Sequence, residues 1–369
     1  MAERVRIPLS KVYVDDEVKR AVLDVLDSGW FILGEKTKEF ERKFADFCGT
    51  KYGIAVSSGT AAIFLSLLAI GIKPGDEVIV PSFSFIATAS PILHLGAKPV
   101  FADINLKTYT IDPDNVRAKI SSKTKAIIPV HLYGHPADME PIIEIAEEKG
   151  LYIIEDACQA HGAVYKGKKV GSIGHVGCFS FYPSKNLTVC GDGGMVVTNN
   201  EEVAERIRML RNHGRKEKYI HEIIGYNLRF NEIQAAIGLV QLQKLPYFIQ
   251  QRRRIAKLYD ELLTDLVIKP VEETWAKHVY HLYVIRTRLR DELRKYLLSH
   301  GVSTGIHYPI PIHKQPTILK TLRKHFKLPK SENAANTVLS LPIYPGLKEH
   351  QVVYVCDLIN NFIQKNIEG

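Results

Sequence analysis

Cysteine is sparse in this chain and follows no pattern. The five residues, at 48, 158, 178, 190 and 356, form no C-x-x-C pair and no regular framework. That excludes a disulfide scaffold or a zinc cluster of the usual spacing, and it fits a reducing compartment. Long apolar runs are also lacking. The longest, IFLSLLAIGI at 63–72, is half of the ~20 residues needed to span a bilayer. No basic and apolar leader opens the sequence, so a cytoplasmic protein without a membrane partner is expected. There is no H-E-x-x-H, no G-x-S-x-G and no helix-opening G-x-G-x-x-G, and no metal site is expected. GAVYKGKK (162–169) has G-x-x-x-x-G-K spacing, but Lys169 stands where a Ser or Thr would hold magnesium. Its alternation around K-G-K predicts a hairpin turn instead. The sequon Asn186-Leu187-Thr188 has no secretion signal to accompany it.

The bulk composition is that of an ordinary globular protein, 46% apolar and 24% charged. A chain of 369 residues exceeds the ~250–300 at which single cores stop growing, so two domains are expected. The net charge of +9 is uneven. Residues 1–200 carry a balance of −1 and residues 201–369 a balance of +10. A basic second half suits nucleic acid, a membrane surface or a phosphate-bearing small substrate. No zinc-finger spacing and no aromatic RNP-like run supports nucleic acid. The remaining alternative is that the charge serves solubility.

From about residue 50 to 200 the chain alternates. Strand-like runs (GIAVSS, DEVIVPS, KPVFADI, AIIPVHL, LYIIEDA) are separated by helix-length segments (AAIFLSLLAIG, MEPIIEIAEEKG). This rhythm predicts βαβ units and a mostly parallel sheet covered by helices on both faces. A long helical stretch over 231–263 follows, with a break expected near Pro246. HVYHLYVIRT then reads as a strand, RLRDELRKYLLSHG as a helix ending at Gly301, and HYPIPIH as a proline-rich loop. The expected division is a large α/β domain over 1–263 and a smaller α+β domain over 264–369.

Ligands in open α/β sheets bind outside the carboxyl ends of the strands. Three such ends carry polar or small groups. VSSGTAA (56–62) leads from a strand into a helix, where the amides of Gly59 and Thr60 are placed for an anion; a plain helix cap by Ser or Thr explains the same residues. IIEDACQAHG (153–162) ends a buried strand in two carboxylates. One of them, Glu155 or Asp156, needs a cation if it is buried, and a solvated loop acid is the alternative. FSFYPSKNLTVCGDGGMV (179–196) sets Lys185 between a proline turn and glycines, with Ser180 and Ser184 beside it. A phosphate cradle, an acid needing a cation and an isolated lysine together are what pyridoxal 5′-phosphate requires. The lysine makes a Schiff base with the aldehyde, and the acid keeps the ring nitrogen protonated.

The sequence resembles the DegT/StrS-type nucleotide-sugar aminotransferases of the aspartate aminotransferase (type I) fold group. The likeness runs nearly end to end, through SGWFILG (28–34), VSSGTAA, VPSFSFIATA (80–89), PVHLYGHPADM (129–139), IIEDACQAHGA, GCFSFYPSKNLTVCGDGGMV, GYNLRFNEIQAAIGLVQL (225–242), GIHYPIPIH (305–313) and LSLPIYPGL (339–347). The resemblance implies Lys185 as the cofactor anchor and proton shuttle, and Asp156 on the pyridine nitrogen. It implies Gln159 near the ring and its hydroxyl, Phe85 stacked on the ring, and Gly59, Thr60 and Ser180 on the phosphate. Asn227 resembles the residue that reaches the phosphate of the neighbouring subunit, which implies a homodimer with shared sites. The glycines at 191, 193 and 194 are expected to let the backbone turn tightly beside Lys185.

The implied reaction is a ping-pong transamination through pyridoxamine phosphate, from glutamate to a keto group of a nucleotide-diphosphate sugar. His307, Tyr308 and His313 are candidate sugar-nucleotide contacts, with packing of an ordinary proline-rich loop as the alternative. Arg229 faces a donor carboxylate, a phosphate or only a salt bridge. The HYPIP-I-H form is nearer to members acting on 3-keto than on 4-keto sugars. Two rival functions are a related sugar dehydratase, in which histidine replaces the anchoring lysine, and a non-catalytic regulator on the same fold.

Overall fold

Seven short strands form the central sheet of the protein, a computed structural model that describes residues 7–367. They are β1 Tyr52–Val56, β2 Glu77–Pro81, β3 Lys98–Ala102, β4 Thr124–Ile127, β5 Tyr152–Asp156, β6 Val176–Ser180 and β7 Gly194–Thr198. Their order across the sheet is β1-β7-β6-β5-β4-β2-β3. The pairings between β3 and β6 are parallel. Only β7 runs against its neighbours, β1 and β6.

The strands are nearly uniformly apolar because both faces of the sheet are covered. Side chains alternate between the faces. Ala55, Ile79, Ile127, Ile153 and Phe179 enter one core, shared with Phe40 and Phe44 of helix α2 (Glu35–Cys48) and Ile142 of α4 (Met139–Lys149). Ile54, Val78, Ala126, Ile154 and Cys178 enter the other, shared with α3 (Gly59–Ala69) and α5 (Glu201–Leu210). Helix α1 (Asp16–Ser28) packs outside, against α6 (Glu232–Leu262).

Helix α6 corrects one expectation, since its 31 residues continue through Pro246. A proline inside a helix forfeits one hydrogen bond and crowds the preceding turn. Here burial on both sides outweighs that. Leu239, Leu242, Leu245 and Ile249 sit in the first sheet core. Ile255, Ala256 and Tyr259 sit in a separate core around the antiparallel pair β8 Tyr283–Arg286 and β9 Val338–Leu341. Helices α7 (Arg290–Ser299) and α8 (Glu349–Ile367) belong to that second core.

The strand expected over 278–287 is shorter than its apolar pattern. Before Tyr283 the chain is a strap: the Val279 and Leu282 amides bond to the carbonyls of Gly134 and Tyr133. The hairpin at 164–169 forms as expected, with Lys166 (φ 45°) and Gly167 (φ 82°) at its turn. The glycine run after Lys185 works differently from expectation. None of Gly191, Gly193 and Gly194 has a positive φ; the left-handed residue there is Cys190, at φ 59°. Gly194 is needed for clearance, because a Cβ on it would lie 2.4 Å from the Ser58 carbonyl oxygen. Among the described residues no helix is long and apolar enough to cross a membrane, and no cluster of three His, Cys, Asp or Glu groups is placed to hold a metal.

Candidate active site

The carboxyl ends of β5 and β6, the start of α3 and the loop after β2 surround one cavity of about 510 Å3. Asp156, the last residue of β5, is 5% exposed at this cavity. Thr88 Oγ1 donates to its Oδ2 at 2.8 Å, and the Cys158 amide donates to its Oδ1 at 3.2 Å. Ser84 Oγ lies 2.9 Å from Thr88 Oγ1. The carboxylate forms no ion pair with any described residue.

Glu155 precedes Asp156 on the strand and so points to the other face. Its carboxylate is filled by His131 Nε2 at 2.9 Å and by the amides of Gly171, Ile173 and Gly174 at 2.6–2.7 Å. His131 Nδ1 accepts from the Ala137 amide, so the imidazole proton sits on Nε2. Of the two acids at this strand end, Glu155 ties the 171–174 turn to the sheet, while Asp156 is the one presented to the cavity.

Lys185 stands on a turn after β6, with its amide bonded to the Tyr182 carbonyl at 2.8 Å. Next to it, Asn186 Nδ2 donates to the Val279 carbonyl at 3.0 Å and fixes the turn to the strap. The Lys185 side chain is half-buried on the cavity wall, and its amine has no hydrogen-bond partner among the described residues. Burial lowers its proton affinity, opposed by Cys158 and by the charge of Asp156.

At the start of α3, Ser58 Oγ accepts from the Ala61 amide at 3.1 Å. The plain cap is therefore real, yet it leaves the Gly59 and Thr60 amides at the cavity without a partner among the described residues. Gly59 is required for packing, since a Cβ there would meet the Ser180 Cβ at 2.7 Å. Ser180, at the end of β6, lines the same corner.

Gln159 reaches across the cavity. Its Oε1 accepts from the Tyr133 amide at 2.9 Å, and its Nε2 donates to Tyr308 Oη at 3.0 Å. Phe85 is 53% exposed, with its ring centroid 5.8 Å from that of Tyr308. His307 also lines the cavity. Its Nδ1 is 2.8 Å from Ser340 Oγ, and burial followed by the charge of Lys185 pushes its pKa down to about 4.

Three expected site residues lie elsewhere. His313 is fully buried, with Nδ1 bonded to Ser82 Oγ and Nε2 3.2 Å from Glu332 Oε1, so its ring locks the loop and does not face the cavity. Arg229 donates to Asn212 Oδ1 at 3.0 Å and does not line the cavity. Asn227 is exposed and bridges to Asn212 outside the cavity of its own chain. The sequence reading assigned no role to Ser84, Thr88, Tyr133 and His281. The hydroxyls of PSFSFIAT were a visible signal for the first two; nothing in the sequence marked the others.

Pyridoxal phosphate, the group implied by the resemblance, fits this set on chemical grounds. A buried carboxylate without a cation suits a protonated ring nitrogen, an unpaired lysine amine suits an aldehyde, and free amides at a helix start suit a phosphate.

The chain is similar to known proteins over nearly its whole length. Residues 12–360 match the DegT/DnrJ/EryC1/StrS aminotransferase family. A protein named pleiotropic regulatory protein, from Geobacillus stearothermophilus, is 47% identical over 96% of this chain and 97% of its own length. The dTDP-3-amino-3,4,6-trideoxy-alpha-D-glucose transaminase of Streptomyces venezuelae is 43% identical over 99% of this chain and 98% of its own. The crystal structure of S. venezuelae DesV in complex with a ketimine intermediate superposes with a TM-score of 0.95 at 42% identity, covering 97% of this chain and 99% of that one.

Proposed function

The chain belongs to the DegT/DnrJ/EryC1/StrS aminotransferase family, and from that premise we propose that it moves the amino group of glutamate to a keto carbon, C3 by preference, of a nucleoside-diphosphate sugar. It is a pyridoxal phosphate-dependent sugar aminotransferase. The observation that carries the pyridoxal phosphate-dependent part of this reading is the pairing, in one cavity, of a buried Asp156 oriented by neutral donors with a Lys185 amine that has no hydrogen-bond partner among the described residues.

In this reading Lys185 holds the aldehyde, Asp156 the ring nitrogen, and Gly59, Thr60 and Ser180 the phosphate. Gln159 lies at the ring's hydroxyl edge and Phe85 over its face. When bound, the ring supplies a sink for the electrons released at the substrate carbon. Lys185 Nζ, free of the aldehyde once the donor is bound, would carry a proton from the donor's α-carbon to the cofactor in the first half and from the cofactor to the sugar carbon in the second. Its lowered proton affinity keeps the amine available as a base nearer neutral pH. Thr88, with Ser84 behind it, holds the Asp156 carboxylate in one orientation throughout. The two halves share one site, which gives ping-pong kinetics.

His307 and Tyr308 stand where a sugar would enter, and the basic excess of residues 201–369 suits a nucleoside diphosphate. The preference for C3 is supported by the 3-amino product named for the S. venezuelae transaminase. Asn227 and Arg229 lie together on a segment beside exposed apolar residues, including Ile224 at 92% and Tyr219 at 82%. That supports a homodimer in which Asn227 serves the other chain's phosphate. The separate core around β8 and β9 supports a second, smaller domain over 264–369, joined to the large one through α6, whose C-terminal half packs into it. The five free cysteines support a cytoplasmic setting. Of the rivals, the dehydratase is opposed by Lys185 itself. The regulator, suggested by the name of the Geobacillus protein, leaves the Lys185–Asp156–Gln159 set without a use.

The test is a two-stage assay. Glutamate added to the pyridoxal phosphate-loaded protein is expected to shift its near-ultraviolet and visible absorbance and release 2-oxoglutarate. A panel of 3-keto and 4-keto sugars on different nucleotides then restores the first spectrum. No change with glutamate, in protein that retains cofactor, overturns the donor assignment. Restoration by 4-keto sugars alone overturns the preference for C3.

A further inference from the structure

His281 lines the cavity yet has no role in the scheme above. It is 5% exposed, and its Nδ1 is buried without a hydrogen-bond partner among the described residues. A proton on Nδ1 would leave a buried donor unsatisfied, so the favoured tautomer carries the proton on Nε2. Nε2 is not sealed off in this way and has no protein partner among the described residues, which makes it the ring nitrogen that meets the cavity.

The backbone around this ring is tightly held. Arg252 of α6 is buried without a carboxylate partner among the described residues, and its Nη1 donates to the carbonyls of Tyr280, His281 and Ile343 at 3.0–3.2 Å. Tyr280 adopts a left-handed conformation, at φ 44°, with its ring stacked on His278 at 4.0 Å. The neighbouring amides of Val279 and Leu282 are strapped to Gly134 and Tyr133, and a Cβ on Gly134 would lie 3.0 Å from the backbone nitrogen of His281. Tyr133 in turn contacts Gln159. The backbone that carries this imidazole is thus held by Arg252 and by the strap to residues 133–134, and the ring keeps a free donor at the cavity.

The charge on that donor narrows what it can bind. Burial, then Lys185, Arg252, His307 and His161, hold His281 well below the usual histidine range, so the ring is neutral. His307 on the same wall is neutral as well, and the hydroxyl of Tyr308 is pushed upward by burial. The groups around His281 are therefore the Lys185 amine, the Arg252 guanidinium already turned onto three backbone carbonyls, neutral imidazoles and a neutral phenol, with the Asp156 carboxylate on the same cavity. An uncharged imidazole donor matches the hydroxyl or keto oxygens of a sugar better than a carboxylate, which calls for a full positive charge.

We propose that His281 is a sugar-contacting specificity residue, donating from Nε2–H to an oxygen of the sugar ring, with Arg252 as the positioning residue that holds it there. The proposal rests on the nucleotide-sugar reading above. A site built to donate to a substrate oxygen discriminates against ligands that lack that oxygen.

The experiment measures calorimetric binding to the pyridoxal phosphate-loaded protein. The probes are UDP-, dTDP- and GDP-glucose and the matching free nucleoside diphosphates, and the quantity read is the affinity that the sugar adds. His281→Phe keeps a ring and removes the donor; it is expected to cut the sugar's contribution about 10-fold, the scale of one hydrogen bond, with a smaller effect on the free nucleotides. His281→Gln places an amide N–H near the Nε2 position and is expected to restore most of the loss. With the keto sugar, the Phe variant shows its defect mainly in KM and in the sugar half-reaction.

Equal losses for nucleotide and nucleotide sugar, or no loss for either, overturn the assignment. So does a defect confined to the glutamate-driven absorbance change, which would place the ring on the donor carboxylate. If the wild type itself gains nothing from the sugar with any of the three nucleotides, the nucleotide-sugar reading falls together with His281. If the wild type gains and His281→Phe keeps the gain, only His281 falls.

Discussion

Thr88 Oγ1 stands 2.8 Å from Oδ2 of Asp156 and donates to it, so the acid at the cavity floor is oriented by a hydroxyl and is not neutralised by a cation. That relationship separates two functions of the site, charge and aim. Asp156→Asn keeps the shape and removes the charge. Turnover is expected to fall at least ~100-fold, the scale of one preorganised electrostatic contact. Thr88→Val keeps the charge and removes one neutral hydrogen bond, for an expected loss of about 3- to 10-fold. Steady-state turnover at full cofactor occupancy checks both. Equal effects from the two changes would mean that Asp156 contributes through position alone.

Lys185 is expected to be the only lysine linked to the cofactor. Borohydride reduction of the loaded protein should place the label on the peptide containing SFYPSKN. Lys185→Ala should lose multiple turnover while retaining pyridoxamine phosphate non-covalently. A label found on another lysine by peptide mass analysis removes Lys185 from this role.

Burial of Lys185 also makes a prediction for the cofactor-free protein. Its proton affinity is lowered in the folded chain, whereas unfolded lysine keeps the ordinary value near 10.5. Between the lowered value and 10.5 the unfolded chain binds the extra proton, so wild-type stability rises with pH across that window. Below the window the folded chain carries the cost of a partly desolvated ammonium. Lys185→Met should therefore melt higher than wild type on the acid side, and the gap should close as the pH approaches 10.5. Thermal melts of the two apoproteins at three pH values check the sign. A gap that widens with pH contradicts it.

Strand-end residues were legible because order along the chain fixes them. β5 is apolar until Glu155-Asp156, and parallel strands place their carboxyl ends at one edge of the sheet. Sequence alone left open which carboxylate faces the cavity, since that depends on the 171–174 turn folding back to occupy Glu155. Pro246 was misread because local propensity favours a break, whereas two separate cores bury the helix on either side. The glycines after Lys185 were misread as turn formers; Gly194 gives clearance against Ser58 and Gly193 against Phe230, contacts between segments far apart in the chain that no local pattern encodes. His313 and His281 show the same limit in opposite directions. The histidine inside the recognisable loop motif turns inward to Ser82, and the one inside an apolar strand-like run faces the cavity.

The exposed Asn227 carries the last prediction. It lies off its own cavity, bridged to Asn212 and next to Tyr226, which is 38% exposed. Closed two-fold dimers are the commonest soluble oligomers, and in one of these Asn227 can serve the opposite site. Asn227 and Lys185 of a single chain then belong to two different sites. Mixing a chain carrying Asn227→Glu, whose acid repels a phosphate, with a chain carrying Lys185→Ala should restore activity. In each heterodimer one site receives both defects and the other receives neither. Random exchange at equal amounts makes about half of the dimers mixed, so about a quarter of wild-type activity should return. Subunit exchange is verified by mass, and the Asn227 chain must itself be severely impaired. Complete exchange with no rate above that of the two parents would put Asn227 to work within its own chain and leave any dimer with a purely structural part.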